Sequence, residues 1–278
     1  EISACLVGSE MCIRDSYVPT PDYPTIQSAV NAAHSGDTIQ VAAGTYYENV
    51  VVPTRVTIVG ENAMTTTVDG RGKNTVFDIQ VDGVELRHLT IRNGGRKYLG
   101  VKIFYPSDAT VIRYTRIMDN RAGVVLSQST GNTIENNVFM NNSMYGVSSS
   151  DYSSGNTIRN NTISGGAYGI ELSDASDTQV VNNTISGASY GVYVAYSNNN
   201  NVSANTVTSN SWNIQLRYSN SNTVGNNKVS GGSVGIQVMN SQGNTVLNNT
   251  LSDSSYGIYL GYCGANTLMG NVVSLNDW

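Results

Sequence analysis

The phrase Asn132-Thr133-Ile134-Glu135-Asn136-Asn137 returns as Asn156-Thr157-Ile158-Arg159-Asn160-Asn161, as Asn222-Thr223-Val224-Gly225-Asn226-Asn227 and as Asn244-Thr245-Val246-Leu247-Asn248-Asn249. The closing Asn, followed through the less exact copies, falls at Asn137, Asn161, Asn183, Asn205, Asn227, Asn249 and Asn271, so the intervals are 24 residues once and 22 thereafter. A period this constant describes a solenoid, in which each unit packs only on its neighbours.

Apolar residues keep the same beat. Three residues before the anchor stand Ile134, Ile158, Val180, Val202, Val224, Val246 and Leu268, and two residues after it Phe139, Ile163, Ile185, Val207, Val229, Leu251 and Val273. A third file is Val147, Ile170, Val192, Ile214, Ile236 and Ile258; a fourth, two residues on, is Leu172, Val194, Leu216, Val238 and Leu260. The i, i+2 spacing is strand alternation, with branched aliphatics facing inward. Strands that stack on their own counterparts must run parallel. The sequence therefore predicts an all-β fold, a single-stranded right-handed parallel β-helix of about ten coils of ~22 residues.

The anchor Asn residues are expected to stack as an internal ladder, each amide bonding to main chain or to the next amide at ~0.5–1.5 kcal/mol net per bond. Gly146, Gly169, Gly191, Gly235 and Gly257 precede the third file, with Asn213 in that place of one coil. They read as turn residues chosen for left-handed backbone.

These phrases, followed by Tyr-Gly-Ile or Tyr-Gly-Val, resemble the parallel β-helix repeats of the NosD family and, more broadly, of pectin-lyase-like proteins. The resemblance implies the fold. It leaves function open, because such repeats serve lyases, hydrolases, epimerases, adhesins and surface proteins.

Residues 1–16 do not share this texture and hold two of the three Cys. The run Glu10 to Asp15 resembles a translated sequencing-adaptor end, so 1–16 is read as an artefact outside the fold. Residues 17–49 read as an amino-terminal cap: a helix opened by Pro24, with Ile26, Ala29, Val30 and Ala33 on one face, closed by Ser35-Gly36, then the strand Thr38 to Val41. Residues 50–278 form the β-helix, which stops mid-coil at Trp278 and is read as truncated there. The interval from Ile91 to Ile117 is 26 residues, which places an insertion at 93–98.

Composition excludes several classes. No apolar run approaches the ~20 residues of a membrane span, and a net charge of −5 argues against nucleic acid. Residues 55–121 hold eleven Lys or Arg against seven Asp or Glu, an early basic region suited to a polyanion. With 1–16 set aside only Cys263 remains, which excludes a disulfide framework. His34 and His88 lie apart and the Met are scattered, so no metal and no cofactor is expected.

Three groups of residues are candidates for chemistry. Glu171, with Asp174 and Asp177 in the next turn and Asp151 one coil earlier, would give paired carboxylates for sugar cleavage. His88, Arg113 and Arg116, with Arg87, Arg92 and Asp119, could neutralise a uronate and move its proton. Tyr145, Tyr168, Tyr190, Trp212 and Tyr256, then Tyr196, Tyr218 and Tyr262, with Tyr193 and Tyr259 pointing outward, form aromatic columns suited to sugar rings or to shielding the turns. The sequence thus points to a secreted, cell-surface or periplasmic repeat protein with a structural or adhesive role and an extended polysaccharide or envelope glycan as partner. The alternatives are a polysaccharide-active enzyme on the same fold and a NosD-type periplasmic accessory protein.

Overall fold

Every coil needs three short strands because its apolar residues come in three groups separated by polar corners. In the computed structural model, which describes residues 14–278, one coil comprises Thr157–Arg159, Thr162–Ser164 and Tyr168–Ser173. Ile158, Ile163, Ile170 and Leu172 face in and are fully buried or nearly so. Each pairs in parallel with its counterpart one coil on: Ile158 with Val180, Ile163 with Ile185, Ile170 with Val192 and Leu172 with Val194. The molecule is therefore a parallel β-solenoid whose three ranks of strands enclose one aliphatic core.

The first rank holds twelve strands, against about ten coils expected from the sequence. The difference lies at the amino end. Thr38–Val41 pairs residue for residue with Thr57–Gly60, and Asp15–Val18 pairs in turn with Thr38–Val41. The segment read as a cap thus supplies two coils of its own, because Ile39 and Val41 bury in line with Ile58. Asp15 and Ser16, read as the end of the artefact, lie in that first strand, and Arg14 just before it is also described; residues 1–13, the remainder of the suspected artefact, lie outside the described residues.

The helix, Ile26–Ala32, covers the amino end and buries Ile26, Ala29 and Val30. Its start is set by Thr25, which forms a capping box with Ser28, and by Glu48, whose carboxylate accepts from the amides of Ile26 and Gln27 at 3.0 and 2.9 Å. Pro24 therefore precedes the cap instead of opening the helix, and the helix ends before Ser35. An anion on free helical N–H groups is the expected electrostatics of a helix start.

The Asn-Asn dyads divide their labour. The first member sits at a left-handed corner: Asn136, Asn160, Asn182, Asn226 and Asn248 have φ of 55, 56, 57, 55 and 52°. The second turns inward and is buried. Asn183 Nδ2 donates to Ile158 O at 2.9 Å and to Asn205 Oδ1 at 3.0 Å, while its main-chain N–H donates to the same Oδ1 at 2.8 Å. That pattern links Asn137, Asn161, Asn183, Asn205, Asn227, Asn249 and Asn271 in one row. A second row at another corner contains Asn200, Asn222, Asn244 and Asn266, and a row of Ser197, Ser219 and Ser241 runs beside it. Cys263 continues that Ser row, its Sγ donating to Val238 O at 3.1 Å.

The glycines before the third file have another cause than the one expected. Gly146, Gly169, Gly191, Gly235 and Gly257 are not left-handed; they face the core, where coils meet most closely. A Cβ on Gly169 would stand 2.6 Å from Gly191 O and 2.5 Å from Ile185 Cγ2, and one on Gly146 would stand 2.5 Å from Gly169 O. Asn213 is accommodated in the coil where Asn210 Nδ2 donates to its Oδ1 at 3.0 Å and it donates to Gly231 O. Gly169→Ala should therefore cost about 1–3 kcal/mol by overpacking. Gly155→Asn, at φ 62° with open space around it, should cost a few tenths. Chemical denaturation of the two variants decides; equal losses would refute the steric account.

The insertion at 93–98 is no free loop. It lies within one long strand, Thr90–Phe104, whose register with Arg116–Ser127 slips twice, between Met118 and Asn120 and between Asn120 and Ala122.

Candidate functional site

Outward residues of the third rank form three rows across the coils. One runs Leu99, Ala122, Tyr145, Tyr168, Tyr190, Trp212, Val234 and Tyr256; the middle one runs Lys102, Val125, Ser148, Glu171, Tyr193, Gln215, Gln237 and Tyr259. The third begins Phe104, Ser127, Ser150, Ser173. Where Val125, Ser148 and Ser150 succeed one another, short side chains lie between taller ones. The result is a cleft of about 300 Å³ lined by Leu99, Phe104, Arg121, Tyr145 and Glu171, with Val125 and the serines between them.

Among the described residues, Glu171 is the only carboxyl lining that cleft. Ser148 Oγ donates to its Oε2 at 2.9 Å, and Tyr145 lines the same cleft. Burial raises the Glu171 carboxyl above its ordinary value, the two hydroxyls pull it back in part, and Asp151 raises it further. Burial, then the charge of Glu171, pushes Tyr145 up to about 12, while Arg121 acts in the opposite sense. The cleft thus joins a carboxyl whose pKa burial raises, a phenol that keeps its proton at neutral pH, and an exposed guanidinium.

Asp174 and Asp177 do not join Glu171. Both are exposed, at left-handed corners with φ of 51 and 55°, where short polar side chains are favoured locally. Asp151 is nearer, its carboxylate accepting from Ser127 and Ser150 hydroxyls at 2.7 and 3.1 Å. The basic group is divided. Arg113 and Arg87 both pair with Glu85, at 2.7 and 3.5 Å, on the first rank. His88 stands beside them at a left-handed corner, stacked on Tyr114 at 5.4 Å, its pKa lowered by burial and then by Arg87 and Arg113. Arg92 is held by Asp69 at 2.9 Å, and Arg116 reaches Met64 Sδ at 2.6 Å.

The aromatic residues fall into three sets. Tyr168, Tyr190 and Trp212 stack at 4.9 Å between successive centroids and within 12° of parallel, and Tyr193 leans on Tyr168 and Tyr190 at 5.4 and 5.3 Å. Their faces cover one another, so edges and hydroxyls are what a ligand meets. Tyr196 and Tyr218 stack at 5.1 Å, with Arg217 5.3 Å over Tyr218 and beside Tyr193. Tyr256 meets Tyr259 edge to face at 5.9 Å, and Tyr262 is 86% exposed. Tyr196, Tyr218 and Tyr262 take left-handed φ of 51, 50 and 53°, the corner backbone that Asp174 and Asn240 adopt at the same position of other coils, and one that bulky side chains enter at a cost.

Sequence reading missed Arg121, Ser148 and the pairing of Tyr145 with Glu171. The signal was available: one period back from Glu171 is Ser148, and Tyr145 precedes it by three.

Possible metal donors are dispersed. Among the described residues no group of three or more His, Cys, Asp or Glu comes together. The thioethers of Met64 and Met144 each face a guanidinium, from Arg116 and Arg121, and Met118 and Met140 are register partners as a pair alone.

Solved structures share the fold at low identity. The Azotobacter vinelandii mannuronan C-5 epimerase AlgE6 A-module is 18% identical with a TM-score of 0.56, covering 90% of this chain and 94% of that one. The PL6 family alginate lyase AlyGC is 15% identical with a TM-score of 0.70, covering 88% of this chain and 40% of that one. The periplasmic alginate epimerase AlgG is 14% identical with a TM-score of 0.62, covering 93% and 84%. No curated protein matches the sequence. The family described as "Periplasmic copper-binding protein (NosD)" matches residues 30–215 and again 179–277, and with nearly all of the solenoid so covered, the chain belongs to the NosD family.

Proposed function

We propose that this protein is a periplasmic or extracellular solenoid that holds an extended, acidic polysaccharide along its third-rank face, in a structural or adhesive role. The observation that carries this reading is the placement of Arg121 and Arg217 on one face, four coils apart, with the Tyr145 to Trp212 file and Tyr193 between them. Cations would meet the carboxylates of the polymer, and phenol edges and Gln amides its hydroxyls. That solved structures of the same fold include an alginate lyase and alginate epimerases supports a glycan as partner. No helix among the described residues is long and apolar enough to cross a membrane.

Copper fits the described residues poorly. Copper sites draw on clustered imidazole, thiolate or thioether donors, whereas His34 lies beside Asp37, His88 is stacked on Tyr114, and the Cys263 thiol is spent on main-chain carbonyls. The described part of this chain is thus read through its glycan-facing surface.

Affinity electrophoresis in alginate and in pectate tests the proposal. Wild-type protein should be retarded, and the triple variant R121A/Y193A/R217A should bind at least tenfold more weakly, about 1.4 kcal/mol. Equal retardation of the two proteins would remove the third-rank face from consideration.

A further inference from the structure

We propose that the cleft between Arg121, Tyr145 and Glu171 is a proton-transfer site that cleaves a uronate-containing polysaccharide by β-elimination. The inference rests on the polyanion reading above and assigns it a chemistry.

The groups present select the reaction. Hydrolysis of a glycoside uses two carboxyls across the scissile bond. This cleft is lined by one, Glu171, and the nearby Asp151 carboxylate is occupied by two serine hydroxyls. A single base suffices where the substrate carries an acidic C–H, and the hydrogen α to a uronate carboxylate becomes acidic once that carboxylate is neutralised. Arg121 is the cation that lines the cleft, and it is exposed at its rim. Glu171 is held in place by the 2.9 Å bond from Ser148, and burial makes it a stronger base than a solvated carboxylate. Tyr145 keeps its proton and lines the same cleft as Glu171.

In the step, the Glu171 carboxylate takes the proton from C5 of the uronate. The C5–H electron pair forms the C4=C5 double bond, the C4–O bond breaks, and the Tyr145 hydroxyl gives its proton to the departing oxygen. Glu171 then returns a proton to Tyr145. The products are one chain ending in a 4,5-unsaturated uronate and one with a free hydroxyl, so no co-reactant is consumed.

The test incubates the full chain with polymannuronate, polyguluronate and polygalacturonate, following ultraviolet absorbance of the unsaturated end, reducing ends and polymer retention together. Wild-type protein should form unsaturated ends on at least one polymer. E171Q and Y145F should lower that rate at least 100-fold, in line with loss of a general base or acid, and E171Q should be retained by the polymers as wild type is. The rate should rise with pH through a value above the 4.5 of an ordinary Glu, then stay level through neutrality because Tyr145 titrates near 12; E171Q should lose the rise.

Folding is checked by linkage. A carboxyl whose folded pKa is raised contributes stability below its unfolded pKa and loses it as pH rises through the folded value. E171Q should thus be at least as heat-stable as wild type at neutral pH, which separates lost chemistry from lost fold. Polymer retained without unsaturated ends overturns the catalytic inference and leaves the binding reading standing. Reducing ends without unsaturation, or full activity in E171Q, also overturns it. Absence of both retention and product overturns the two together.

Discussion

Replacing Asn227 by Leu should destabilise the solenoid by about 3–5 kcal/mol, counting ~1–3 kcal/mol for each buried polar group left without a partner. Asn227 is 1% exposed. Its Oδ1 accepts from the Asn205 main chain at 2.9 Å, and its Nδ2 donates to Val202 O and to Asn249 Oδ1, both at 2.9 Å. A leucine fills similar volume but returns none of these bonds, and water cannot enter between the coils to replace them. The neighbouring Asn226→Gly is the internal control. Asn226 is exposed at φ 55°, and glycine takes that backbone freely, so the cost should be a few tenths of a kcal/mol. Hydrogen exchange of the coils on either side, compared between the two variants, gives the readout. Similar protection in both would mean that the inward amide row contributes little.

Phe139→Ala should cost a comparable ~3–5 kcal/mol, the usual range for emptying a phenylalanine site in a core. Phe139 is fully buried in the file of Ile117 and Ile163, the one aromatic ring among aliphatic partners. The ring fills the space that Gly123 leaves: a Cβ on Gly123 would stand 2.6 Å from Phe139 Cδ1. Because neighbouring coils are fixed by their main-chain ladders, they cannot collapse into the void, and the cavity term stays large. At roughly 2–4 °C per kcal/mol, the thermal midpoint should fall on the order of 10 °C. A fall under 2 °C would show that the coils do relax, and that the solenoid core is softer than its ladder geometry implies.

The large features of this fold are legible because a solenoid turns three-dimensional neighbours into a sequence interval. Ile158 meets Val180 and Ile163 meets Ile185 because each stands 22 residues before its partner. Reading failed where the interval was not applied or not constant. The two coils before Thr57 lie ahead of the regular repeat, so Thr38–Val41 looked like a lid although it is a rung. The Gly column was assigned to dihedral preference, whereas Gly146 and Gly169 are set by the carbonyl oxygen of the next coil, a contact invisible along the chain. For the site, Glu171 was singled out, yet it was joined to Asp174 and Asp177 because they are close in sequence.

The sequence by itself determined the parallel stacking, the identity of the aliphatic files and the inward row of Asn candidates, since these depend only on which residue recurs after one period. The tertiary structure alone decided which outward side chains share a cleft. That depends on relative height: Val125, Ser148 and Ser150 are short where Phe104, Tyr145 and Glu171 are tall, and the long Arg121 reaches the rim from a corner. A period locates Cα atoms over one another, but side-chain reach and burial across several coils create the concavity that raises the Glu171 carboxyl.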